Sequence, residues 1–222
     1  MKKKIVTTTM ALAVVASLPH TVLAAGFGTG IKVSTLGPGV EIEGRMNDNL
    51  GLRANANYLP FSVSVTADDV DYDADFSWKS GGAMVDFYPF SGIFRITGGL
   101  FYNGNDVDLS ATPSSNVTVG DSTYTPAQIG SIDGSLDFNT IAPYAGLGWS
   151  GGKAASGNWT VSFDVGVLFQ GSPSVDELTA SGDLAGNAAF IADLEKEKAE
   201  IEDEMEPFQY YPVLALTVSY FW

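Results

Sequence analysis

The chain has 222 residues, with 26 acidic against 11 basic ones, one histidine and no cysteine. A formal net charge of −15 repels phosphate backbones and argues against nucleic acid as a partner. Without cysteine there are no disulfides, thiol nucleophiles or Cys-based metal sites.

Residues 1–24 read as a cleaved secretory signal peptide and 25–222 as one mature domain. Met1-Lys2-Lys3-Lys4 gives a basic head, Ile5 to Leu18 an apolar middle, and Val22 and Ala24 a small-residue exit. The alternative, an anchoring helix, needs a longer run than one interrupted by Pro19 and His20. Cleavage near Ala24 removes three basic residues and the only histidine, leaving 8 basic against 26 acidic residues. No imidazole then remains for acid–base catalysis, a Ser-His triad or a metal site. No catalytic residue, metal site or cofactor is predicted, and the reading is non-enzymatic.

After Gly26 the sequence alternates, with apolar residues every second position, as strands do. Strands are expected at 26–35, 39–46, 49–63, 72–88, 93–106, 134–149, 159–170 and 208–222. In the last, Leu214, Leu216, Val218, Tyr220 and Trp222 alternate with Ala215, Thr217 and Ser219. Trp159, Val161, Phe163 and Val165 alternate with Thr160, Ser162 and Asp164 in the same way. Apolar faces opposed to small polar ones fit strands with lipid outside and a packed polar lumen inside. An even number of strands closes without an edge in lipid. The fold class expected is all-β, an eight-stranded antiparallel transmembrane β-barrel in the bacterial outer membrane. In the fourth strand the apolar parity shifts between Phe76/Trp78 and Ala83/Val85/Phe87, and Gly81-Gly82 between them reads as a bulge.

Connections at 47–49, 89–92 and 150–158 are turn-like, whereas 64–71, 107–133 and 171–207 are mostly longer and acidic or Ser/Thr/Gly-rich. Short turns mark the periplasmic end and long loops the extracellular one. Within 183–206, Leu184, Ala188, Ile191, Leu194, Ile201 and Met205 recur at helical spacing, with Ser181 or Asp183 as cap and Pro207 as stop. A short helix is expected there, either folded over the mouth or simply solvated.

Lys32, Glu41, Glu43, Arg45, Arg53, Asp86, Arg95 and Asp164 fall on the inward parity. Such charges either pair into a plug or line a narrow polar path. Asp68, Asp69, Asp71, Asp73, Asp75, Asp176 and Glu177 are placed at an acidic extracellular mouth, which draws in cations. Solubility, or divalent bridging to lipopolysaccharide, is the competing explanation. Tyr88, Trp149, Trp159, Tyr220 and Trp222 are assigned to an aromatic girdle near the periplasmic interface, and Tyr58, Trp78, Tyr102 and Tyr210 to an outer one. Asp71-x-Asp73-x-Asp75 lacks the later glycine and glutamate of a calcium loop.

Ile141-Ala142-Pro143-Tyr144-Ala145-Gly146-Leu147-Gly148, Asn158-Trp159, Gly171-Ser172-Pro173-Ser174-Val175 and the Tyr-Phe-Trp end together resemble the CarO-type outer-membrane proteins. Val33-Ser34-Thr35-Leu36-Gly37 and Ser131-Ile132-Asp133-Gly134 resemble the same family more loosely. The resemblance implies an eight-stranded barrel with ordered extracellular loops and passage of small solutes, notably ornithine and other basic amino acids. The expected function is a narrow, cation-favouring passive channel. The competing one is a structural or surface-interaction barrel with a closed, salt-bridged lumen. Expected partners are outer-membrane lipid and lipopolysaccharide, the barrel-assembly machinery through the C-terminal aromatic strand, and small cationic or zwitterionic solutes.

Overall fold

Alternation along the chain becomes a set of long strands in the computed structural model, which describes residues 26–67, 69–151 and 158–222. The signal segment expected at 1–24 lies outside the described residues. In chain order the elements are β1 (Phe27–Ser34), β2 (Gly37–Arg45), β3 (Leu50–Ala67), β4 (Val70–Phe87), β5 (Phe94–Asn103), β6 (Asp106–Pro113), β7 (Val117–Val119) and β8 (Ser122–Tyr124). There follow α1 (Pro126–Ile129), β9 (Ile132–Asp137), β10 (Ile141–Ser150), β11 (Trp159–Phe169), β12 (Ser174–Val175), β13 (Thr179–Ala180), α2 (Ala188–Met205), a 3₁₀ turn (Glu206–Gln209) and β14 (Tyr210–Phe221).

Eight strands form a closed antiparallel ring in the order β1-β2-β3-β4-β5-β10-β11-β14, with β14 pairing back onto β1 from Gly28↔Phe221 to Ser34↔Ala215. Ile31 and Val33 are 72% and 69% exposed, while Lys32 between them is 4%. Apolar side chains outward and charged ones inward are the reverse of a water-soluble sheet, and fit a barrel in lipid. Both described chain ends and the turns at 46–49 and 88–93 share one end of the ring.

β3 and β4 have 18 residues each, a reach of about 60 Å at ~3.4 Å per residue. An apolar membrane band is only about 25 Å tall, so their upper halves stand clear of it. There β4 changes partner: Ser80 to Phe87 pairs with β5, Val70 to Ser77 with β6. Lys79 sits at the handover. Its carbonyl accepts from Gly104 N at 2.9 Å and its N–H donates to Asn105 Oδ1 at 3.0 Å, so neither group is stranded. The spans expected at 93–106 and 134–149 are accordingly broken, each into a barrel strand and a strand of the upper sheet. That sheet runs β3-β4-β6-β9, with β12 and β13 beyond.

The bulge expected at Gly81-Gly82 is absent: β3 and β4 keep one register from Leu50↔Phe87 to Ala67↔Val70. The apolar face changes because the surroundings change. Below, lipid lies outside; above, protein covers the inner side of the sheet from Phe76 toward β6 and β9. Val107, Leu136 and Val175 form a core there with Phe76, Ile201 and Met205. A second core joins Val119, Tyr124 and Ile129 to Phe190 and Leu194 of α2. The regions expected as loops thus form an ordered extracellular head. The expected helix is α2, but its cap is Asn187, whose side chain accepts from Ala189 N and Phe190 N. Ser181 is taken: its Oγ accepts from Ser131 N at 2.8 Å.

Candidate functional site

The ring brings side chains from all its strands into one lumen, filled in layers. At the periplasmic end is a cavity of about 630 Å³, bordered by Glu43, Arg45, Tyr88, Ser150, Thr160 and Phe221 among others. Above it lies a charged layer. Arg53 Nε is 2.7 Å from Asp86 Oδ2, and its Nη1 is 3.3 Å from Glu41 and 3.2 Å from Asp164. Arg95 Nη2 reaches Asp164 at 2.9 Å, and Lys32 Nζ reaches Glu41 at 3.2 Å. Thr97 donates to Asp86 at 2.6 Å. These three cations and three carboxylates are buried and balance one another, so the layer carries no net sign.

A third layer, above the charges, is apolar: Leu36, Met84, Phe101, Ala142, Tyr144, Leu168 and Val213, with Tyr211 against it. Leu36 reaches it from the tight β1–β2 turn, where Gly37 has φ +99°. Glycines beside these rings, on the same or the adjacent strand, provide room rather than an opening. A Cβ at Gly146 or Gly166 would collide with the Tyr144 ring, and one at Gly82 with Phe101. Large and small residues interlock as in other small barrels filled by side chains. Over the plug, Asn57 donates to Ser80 at 3.2 Å across the β3–β4 pair, and Gln170 donates to the Phe208 carbonyl at 3.0 Å, tying the barrel rim to the turn that follows α2.

Of the inward charges read from sequence, Lys32, Glu41, Arg53, Asp86, Arg95 and Asp164 meet in the charged layer. Glu43 is buried below them, and its Oε1 has no hydrogen-bond partner among the described residues. Arg45 stands apart at the rim, its guanidinium 3.8 Å over the Tyr88 ring, with Nη2 donating to the Gly92 carbonyl. Tyr88 therefore does not belong to the girdle: it faces inward and is 6% exposed, its parity fixed by the unbroken β3–β4 register. Trp78, expected in the outer girdle, also faces inward, against Phe61 and Tyr211. Trp149, Trp159, Tyr220 and Trp222 lie on the outer surface, with Tyr220 centred 5.2 Å from each of Trp159 and Trp222.

The acidic residues do not ring a mouth. Asp71, Asp73 and Asp75 share the parity of outward Val85 and Phe87, so they stud the lateral face of the upper sheet, accepting from Thr66, Ser64 and Ser62. Asp69 occupies the hairpin turn with φ +62°; Asp176 and Glu177 follow β12 on the same side. Asp68 lies outside the described residues. The plug residues Met84, Phe101 and Leu168 escape a reading built on alternation alone. Their signal was apolar side chains at positions whose parity otherwise carried Asp86 on β4, Arg95 and Thr97 on β5, and Asp164 on β11.

The chain matches no protein-family model and no curated protein. Among solved structures it is similar to CarO2 of Acinetobacter baumannii, at 23% identity over 89% of this chain and 99% of that one, with a TM-score of 0.60. CarO of the same organism aligns at 23% identity over 88% of this chain and 97% of that one, with a TM-score of 0.58. The Yersinia pestis attachment invasion locus protein Ail aligns at 10% identity with a TM-score of 0.38.

Proposed function

From the outer-membrane β-barrel fold that this chain shares with the CarO proteins, we propose a barrel closed along its axis, whose function resides in its extracellular head. The observation that carries this reading is two closures in series, the paired charges around Arg53 and the apolar plug around Phe101 and Tyr144. An ion crossing the first must displace desolvated pairs, and crossing the second must shed its water against apolar side chains. Planar-bilayer recording of the refolded protein tests it. No unitary steps are expected, and Arg53→Met alone, or Phe101→Ala with Tyr144→Ala alone, stays silent because the other closure remains. Resolved steps from the unaltered protein would overturn the reading.

A second reading, slow passage of small cationic or zwitterionic solutes, draws on the periplasmic cavity and the unpaired Glu43 oxygen at its wall. It makes the lumen an intermittently parted path with a cation-attracting lower end. Liposome swelling separates the two readings: entry of ornithine and glycine ahead of glutamate favours passage, and no swelling with any of the three rules it out.

A further inference from the structure

The upper half of β3 has a neighbour on one side only. β2 pairs with β3 no further than Gly39↔Asn57, whereas β4 follows it to Ala67. Among the described residues, no strand pairs with the other edge of β3 at positions 60–67. The backbone direction there follows from the turns below. The Leu50 carbonyl accepts from Met46 N on the β2 side, and the Asn49 carbonyl from Tyr88 N on the β4 side. Even-numbered residues therefore turn their backbone to the open edge, where Ser62, Ser64 and Thr66 each offer an N–H and a carbonyl. Pro60 shares that parity and offers only a carbonyl, the side on which a strand tolerates proline.

An open edge of this length is a template for another strand. Its two faces set what that strand must carry. On the inner face are Phe61, Val63 and Val65, with Val63 and Val65 42% and 52% exposed. On the outer face Ser62, Ser64 and Thr66 lead directly to Asp75, Asp73 and Asp71. A strand added at ~4.8 Å spacing lies about 10 Å from that aspartate row, within the span of lysine and arginine side chains. We propose that the 60–67 edge of β3 docks an extended polypeptide segment that alternates apolar and basic residues. A second copy of this chain is a poorer occupant, because its own edge brings a second aspartate row toward the first. The proposal rests on the reading that the function lies in the head, and names the partner's chemistry.

The full refolded chain in lipid nanodiscs is titrated with an eight-residue peptide alternating lysine and valine. The same composition in two blocks and a glutamate–valine alternation serve as comparisons. Binding is read by fluorescence anisotropy, and strand addition by hydrogen exchange at the Ser62, Ser64 and Thr66 amides. The alternating basic peptide is expected to bind at least about tenfold tighter than either comparison and to protect those amides. Ser64→Pro, which removes an edge donor but no β4 bond, abolishes protection. Asp73→Asn with Asp75→Asn leaves the edge intact, weakens binding several-fold and flattens its salt dependence. Equal binding of the block peptide, binding without protection, or protection arising from self-association without peptide would each overturn the proposal. Bilayer recordings on the same preparation keep the two readings separate. A silent barrel that ignores the peptide refutes only the docking site, and a conducting barrel that binds it refutes only the closed lumen.

Discussion

Arg53 does more in the lumen than its neighbours because a guanidinium offers five donors in a fixed fork. It meets Glu41, Asp86 and Asp164 at once, from strands that are not adjacent in the ring. Removing it leaves three carboxylates buried with only Arg95 and Lys32 to answer them. Arg53→Met is therefore expected to cost about 3–5 kcal/mol of stability, the range for breaking one side of a buried ion pair. Urea unfolding in detergent micelles measures it, and a change under about 1 kcal/mol would mean the network is hydrated rather than desolvated. That these charges face inward was legible from alternation. That they meet was not, because Arg53 and Asp164 are 111 residues apart in sequence and only ring closure places them side by side.

At the level of elements, a polar cluster around Asp193 helps hold α2 to the β7–β8 hairpin, beside the Gly120 N–H that donates to Glu197 at 3.1 Å. The Tyr124 hydroxyl donates to Asp193 at 2.7 Å, Lys196 donates to the same carboxylate at 3.0 Å, and Lys196 also reaches Asp121. The Tyr124 hydrogen bond first, and Lys196 after it, hold the Asp193 carboxyl down to about 2. An unfolded aspartate titrates near ~3.9, so this stabilisation is complete above that pH and is lost as the pH falls through the folded value. Hydrogen exchange of the α2 amides is expected to be unchanged from neutral pH to about pH 4 after correction for intrinsic rates, and to quicken below it. Tyr124→Phe raises the folded value toward the unfolded one, so it should shrink the acid-induced quickening and end it at a higher pH. An acid response of unchanged size would remove Tyr124 from the cluster. The helix itself was readable from its three- and four-residue spacing. Its cap was not, because Ser181 and Asn187 are equally good capping residues in sequence, and tertiary contact with Ser131 decides between them.

Across the whole molecule, the four tryptophans report how the barrel sits in a bilayer. Trp149, Trp159 and Trp222 are outward near the end that holds the short turns, and Trp78 is inward beneath the head. In single-tryptophan variants, lipids brominated on the acyl chain should quench the first three and spare Trp78. Quenching of Trp78 equal to that of Trp159 would mean that the upper hairpin lies in lipid rather than above it. Sequence alone puts Trp78 in the outer girdle, because an aromatic residue looks alike on either face. Only the unbroken β3–β4 register turns it inward.

The two-residue period of the chain determined by itself that this protein is a sheet with opposed apolar and polar faces, and the inversion of charge implied a closed barrel in lipid. Both are local properties: a strand's pleat fixes which side each residue takes. Whether the lumen is open depends on distances across the ring between strands far apart in sequence, and on how Tyr144 and Phe101 fill the space left by Gly146, Gly166 and Gly82. The same holds for the acidic residues. Their number was plain from composition, but the rise of β3 and β4 into a separate sheet moved them from a supposed mouth to an outer wall. Parity is written in the sequence; closure and placement come from packing.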